Sequence, residues 1–283
     1  MEKIKAYLEL IRLKHWIKNL LVFVPVFFGK EIFNLETLLR TGLAFITFSL
    51  MASAIYVIND IADAETDRKH PIKRYRPIAS MKISIKNAII ITVFSAIFSG
   101  VLSAVVSPKL TMIILTYMGI NLLYSFKLKQ IAPLDIFIVS AGFVLRTYAG
   151  GVAADIPVSN WLFLTVFLLS LFVSVAKRRA EIAILGASAP KHRNSLNHYS
   201  LNLLDGLMWI TASASIVTYA LYAVNKGGIM VWTVIPATYG LVRYLQIVMT
   251  KNMDEPIIIT FTDLQMLLAI SAFLILTFMG IYG

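Results

Sequence analysis

The sequence predicts an all-α fold: one polytopic membrane domain over residues 1–283, built as a bundle of about nine transmembrane helices with a polar cavity facing the cytoplasm. Three observations carry this. Of the 283 residues, 58% are hydrophobic and only 14% are Asp, Glu, Lys or Arg, where soluble domains carry about 25%. The apolar residues gather into runs of about 17–25, long enough to cross a bilayer. The cationic residues fall mostly between those runs or at their ends.

In chain order the expected spans are 17–34, 40–60, 86–106, 110–127, 133–154, 158–177, 206–225, 229–249 and 263–282. The first is short, carries Lys18 and is interrupted by Pro25. Ahead of it, Met1 to Lys18 is basic and amphipathic, unlike the short apolar core of a signal peptide. Cysteine is absent, which excludes disulfides and thiolate metal sites. A net charge of +11 raises the question of nucleic acid, but topology answers it. With a cytoplasmic N-terminus, every Lys and Arg except Lys30, Arg40, Lys109, Lys226 and the intramembrane Arg146 lies on the cytoplasmic side. Nucleic acid is therefore not an expected partner; the bilayer and an anionic substrate are.

The second span closes on Asn59-Asp60-Ile61-Ala62-Asp63-Ala64-Glu65-Thr66-Asp67. At about 100° per residue, Asn59, Asp60, Asp63 and Asp67 sit near 0°, 100°, 40° and 80°, on one arc, with Glu65 turned away. Carboxylates gathered so closely repel unless a cation lies among them. Hard oxygen donors that leave room for substrate phosphates suit Mg²⁺, so Asn59, Asp60, Asp63 and Asp67 are the expected metal ligands, the three aspartates being the catalytic candidates. Arg68, Lys73, Arg74 and Arg76 follow at once and are natural donors to phosphate oxygens.

Other polar groups recur at the ends of spans. Lys14 and Lys18, in Arg12-Leu13-Lys14-His15-Trp16-Ile17-Lys18-Asn19, either snorkel to the interface or contact phosphate. Tyr124, Lys127 and Lys129 close the fourth span on the side of the aspartate motif. Arg146 is costly within a bilayer and must face the bundle interior toward an anion, either a bound phosphate or an acid on another helix. Asp135, about three turns earlier on the same helix, is too far to be its close partner. At the end of the sixth span Lys177, Arg178 and Glu181 share a face while Arg179 turns away. The loop beyond carries Lys191, His192, Arg193, His198, Tyr199 and Asp205.

The aspartate motif, with His70-Pro71-Ile72-Lys73 and Arg76-Pro77 behind it, resembles the first aspartate-rich signature of the UbiA superfamily of intramembrane prenyltransferases. That resemblance implies a helical membrane enzyme in which the aspartates hold Mg²⁺ against a substrate diphosphate. Where the aromatic prenyltransferases of the superfamily carry a second D-x-x-x-D, this chain has Lys177-Arg178-Arg179-Ala180-Glu181. With Arg12 to Asn19, Tyr124-Ser125-Phe126-Lys127-Leu128-Lys129, and Gly142 to Gly151, it is similar to the decaprenyl-phosphate phosphoribosyltransferase branch. The resemblance implies phosphoribosyl diphosphate as donor, a polyprenyl phosphate as acceptor, and a product that feeds cell-wall arabinose. Lys14, Lys18, Arg68, Lys73, Arg74, Arg76, Tyr124, Lys127, Lys129, Arg146, Lys177, Arg178 and Glu181 are then the substrate-binding candidates. Two alternatives stand beside it: transfer of an isoprenyl group to an aromatic or lipid acceptor, and cation transport. Transport would place acids near the bilayer midplane, not at its boundary.

Overall fold

A computed structural model describes residues 2–69, 73–186, 194–251 and 262–283, and the described residues contain helices and turns but no strand. His70 to Ile72 of the aspartate signature, and Lys191 to Arg193 of the sixth-span loop, lie outside them.

Seven described helices have the length and apolarity to cross a bilayer. These are α3 (Leu35–Ala62), α5 (Ile85–Val106), α6 (Pro108–Phe126), α7 (Leu134–Ala154), α8 (Asn160–Leu185), α9 (Leu201–Lys226) and α11 (Leu264–Tyr282). Shorter helices are α1 (Glu2–Leu10), α2 (Val24–Phe28), α4 (Ala64–Lys69) and α10 (Val234–Lys251). The other two expected spans, 17–34 and 229–249, are not single long helices. Leu13–Phe23 is a 3₁₀ helix that passes into α2, with Pro25 in the first turn, where its missing N–H leaves no bond unmade. Gly228–Thr233 is a second 3₁₀ helix, entered through Gly227 and Gly228 at φ 74° and 56°, before α10 begins.

The chain forms two compact units, Met1–Ser125 with Leu145–Pro157, and Phe126–Val144 with Val158–Gly283. In the first, α3 packs along α5. The face α5 buries is small and polar, Ala88, Ser95, Ser99 and Ser103, while Ile90, Phe94, Ile97, Val101 and Val105 point outward. That inversion suits lipid, where helices gain by close backbone approach and not by hiding apolar surface from water. Ser99 donates to the Thr47 carbonyl at 2.8 Å. Phe48, Met51, Ile55, Leu110, Ile114 and Tyr117 form the core. A second cluster seats Ala6 and Leu10 of α1 against Val57, Ala64, Ile78 and Ile83, docking the N-terminal helix beside the aspartate motif.

In the second unit α8 pairs with α9, and α10 with α11. Phe172, Val175, Leu204, Met208, Tyr244 and Val248 fill its core. An apolar groove of about 320 Å³, lined by Leu169, Phe172, Pro236, Gly240, Tyr244 and Phe273, opens among α8, α10 and α11.

Candidate active site

The aspartate motif forms because α3 stops at Asp63. The Asp63 backbone leaves the helical region (φ −93°, ψ 3°) and donates to the Asn59 carbonyl at 2.9 Å. Asp67 donates in turn to the Asp63 carbonyl at 2.8 Å, which starts α4. Asp60 and Asp67 are each only 3% exposed. Buried carboxylates need a counter-charge, and arginines supply it. The Arg76 guanidinium bridges the pair, donating to Asp60 Oδ1 at 3.1 Å and Asp67 Oδ2 at 2.7 Å. Arg12 donates to the same Asp60 Oδ1 at 2.5 Å and stacks over the Tyr56 ring at 4.8 Å. Asn59 and Asp63 are half-buried beside them, and Glu65 is exposed, off the shared face.

Among the described residues, no three acidic or histidine side chains converge as a ready-made metal centre. The guanidinium groups of Arg12 and Arg76 lie against the carboxylates of Asp60 and Asp67. The donor set nevertheless fits Mg²⁺. It comprises two buried carboxylates linked through one guanidinium, with a third carboxylate and an amide oxygen next to them, all hard oxygen ligands.

Of the basic residues expected around the motif, Arg76 reaches two of its carboxylates, Asp60 and Asp67. Arg68, Lys73 and Arg74 are exposed, and Arg74 donates to the Tyr75 hydroxyl at 2.7 Å. Lys14 is exposed, while Lys18 and Tyr124 are half-buried. Arg12, which was not among the expected site residues, pairs with Asp60. Its partner is 48 residues away, and no local spacing announces such a pair.

Arg146, 5% exposed, faces the interior as its insertion cost demands. Its contacts include neutral polar groups and aromatic rings. Its Nε donates to Asn19 Oδ1 at 2.6 Å and an Nη to the Tyr117 hydroxyl at 3.1 Å, with the Phe48 and Tyr117 rings at 4.9 and 5.0 Å. Asn19 donates onward to Ser49 Oγ at 2.8 Å. Asn19 and Tyr117 are thus polar partners that sequence reasoning did not single out.

In the second unit Lys127 is exposed and Lys129 half-buried in a short 3₁₀ turn. Lys177 is exposed, but Arg178, next to it, is buried. Its Nε donates to Asp135 at 3.0 Å and an Nη to Glu181 at 2.5 Å. Asp135, fully buried, also accepts from the Tyr199 hydroxyl at 2.7 Å and from Ser195 at 3.3 Å. Lys177 and Arg178 therefore do not share one environment as expected. Arg179 does turn elsewhere, to Asp205 at 2.6 Å.

The sequence profile of the UbiA prenyltransferase family matches residues 21–269. The chain is 36% identical over 258 residues to a Mycolicibacterium smegmatis protein named decaprenyl-phosphate phosphoribosyltransferase, covering 85% of this chain and 81% of that one. It is 34% identical over 286 residues to a protein of the same name from Corynebacterium glutamicum, covering 97% and 86%. A solved UbiA homolog from Archaeoglobus fulgidus, bound to DMAPP and Mg²⁺, is similar in fold with a TM-score of 0.76 at 18% identity, over 98% of this chain and 99% of that one.

Proposed function

The chain belongs to the UbiA prenyltransferase family, and from that premise we propose that it moves 5-phosphoribose from phosphoribosyl diphosphate to a polyprenyl phosphate of the decaprenyl type. Diphosphate leaves, and the product is a lipid-linked precursor for cell-wall arabinose. The observation that carries this is the buried Asp60–Arg76–Asp67 cluster in a chain about a third identical, over most of its length, to phosphoribosyltransferases. The enzyme is an integral protein of the plasma membrane, its aspartate motif on the cytoplasmic side.

In the transfer, the ribosyl C1–O bond to diphosphate breaks as a lipid phosphate oxygen bonds to C1. The diphosphate departs with the bonding electrons. The attacking oxygen is already anionic, so no general base is needed. Asn59, Asp60, Asp63 and Asp67 would hold Mg²⁺, which supplies charge neutralisation at the leaving diphosphate. Arg76 orients the two buried aspartates. Lys14, Lys18, Arg68, Lys73, Arg74 and Tyr124 are proposed as donors to substrate oxygens. Lys127, Lys129 and Lys177 are proposed as phosphate contacts. Arg178, tied to both Asp135 and Glu181, supports Lys177. Arg146 fixes Asn19 and the 3₁₀ segment carrying Lys14 and Lys18. The apolar groove along α8 suits an isoprenoid tail.

The purified protein with Mg²⁺, phosphoribosyl diphosphate and a polyprenyl phosphate is expected to release one diphosphate for each lipid-linked phosphoribose formed. Asp60→Asn and Asp67→Asn are expected to abolish both products. Diphosphate release that survives in both variants would remove the aspartate pair from the mechanism.

A further inference from the structure

Asp60 Oδ1 accepts from two guanidinium groups at once, Arg12 at 2.5 Å and Arg76 at 3.1 Å. A carboxylate oxygen offers two lone-pair sites, so a cation cannot ligate this oxygen until one arginine withdraws. Arg76 is also held by Asp67 Oδ2. Arg12 has one described carboxylate partner and the face of Tyr56. We propose that Arg12 is a gate on the metal site: its guanidinium competes with a divalent cation for Asp60 Oδ1, and once displaced it donates to the oxygens of the incoming diphosphate.

The backbone around Arg12 is built to hold this side chain at that reach. Arg12 is in the left-handed region, φ 51° and ψ 50°, where a residue with a side chain sits at a cost and where functional strain concentrates. On one side, Leu10 is fully buried against the first-unit cluster. The Ile11 carbonyl accepts from Ser53 Oγ at 2.7 Å, and Ser53 accepts in turn from Trp16 Nε1 at 3.1 Å. Ser53 lies two turns before Asp60 on the same face of α3. The segment is therefore pinned to the helix that carries Asp60, and only the side chain has to move for the exchange. Leaving Asp60, the guanidinium stays close to the aspartates, where a charge-assisted bond to a phosphate oxygen offsets the one it gives up.

The inference rests on the proposed metal-holding role of Asp60, but not on which diphosphate is the donor. Its test uses Mn²⁺ alone and then inorganic pyrophosphate, with the full chain in nanodiscs. Mn²⁺ binding is read by electron paramagnetic resonance with no phosphate present. Arg12→Gln is expected to tighten Mn²⁺ by about tenfold, because a competing cation is gone, and to weaken pyrophosphate at saturating Mn²⁺ by about tenfold. Arg12→Lys should fall between the two. Unchanged or weaker Mn²⁺ binding by Arg12→Gln, or unchanged pyrophosphate affinity, overturns the gate, since an arginine serving only the fold would leave both affinities alone. If Arg12→Gln does not fold, Tyr56→Leu decides: loss of the stacking face should loosen Arg12 and tighten Mn²⁺, and no change overturns the proposal. Neither arm contains a phosphoribosyl donor, so failure of the transferase assignment leaves this result readable.

Discussion

At Asp60, four features coincide: burial, two guanidinium partners, a helix end, and a second buried carboxylate linked through Arg76. Loss of a partner that only orients a metal ligand costs about 10–100-fold. Asp60→Asn should therefore lower turnover by more than about 100-fold. Glu65→Gln, at an exposed position off the face, should stay within about twofold. Steady-state kinetics on the two variants check this, and equal losses would contradict the geometry. Lys177 and Arg178 separate in a different way. Arg178→Ala removes a guanidinium from the fully buried Asp135, leaving hydroxyl donors in its place, and should cost about 3–5 kcal/mol of stability. Lys177→Ala, at an exposed side chain, should keep the melting temperature and raise the donor KM roughly tenfold. The aspartate cluster was legible in the sequence, but the one continuous helix assumed for its arc is broken at Asp63, and Asp67 stands on α4. The partners were not legible. Arg12 with Asp60, Arg178 with Asp135 and Arg146 with Asn19 are 48, 43 and 127 residues apart, and such pairs are chosen by helix packing.

The elements obey the bilayer more than local propensity. Long apolar helices were legible from hydropathy. The two broken spans were signalled only by Pro25 and by the Gly227-Gly228 pair, and hydropathy does not distinguish 3₁₀ from α. Close approach is sharpest at Gly150 of α7, where an added Cβ would lie 1.7 Å from the Val22 carbonyl oxygen of the 3₁₀ segment. Gly150→Ala must push that backbone away and should cost about 1–3 kcal/mol, lowering the thermal midpoint in detergent. Gly119→Ala in α6 meets nothing within 4 Å and, as glycine is a poor helix former, should leave stability unchanged or raise it by up to about 1 kcal/mol. A neutral Gly150→Ala would show that the segment is not seated as described. Gly150 lies one turn beyond Arg146, and its close approach to Val22 depends on its lacking a side chain.

For the whole molecule, the lopsided distribution of Lys and Arg predicts that the aspartate motif and the ends of α6 and α8 face the cytoplasm. With no native cysteine, single cysteines at Thr66, Gln130 and Asn197 report this cleanly. An impermeant thiol reagent outside intact cells should leave all three unlabelled and reach them after permeabilisation; labelling from outside would invert the topology. Fold class was legible because composition alone separates a bilayer protein from a soluble one, whereas the substrate turns on a handful of charges. The central claim is that these charges serve a phosphoribosyl and not an isoprenyl donor, and side-by-side turnover tests it most directly. The purified protein, with Mg²⁺ throughout, is given either phosphoribosyl diphosphate with a polyprenyl phosphate or geranyl and longer isoprenyl diphosphates with hydroxybenzoate. Diphosphate should appear only in the first reaction, with lipid-linked phosphoribose beside it. Turnover of an isoprenyl diphosphate with silence toward phosphoribosyl diphosphate would contradict the account.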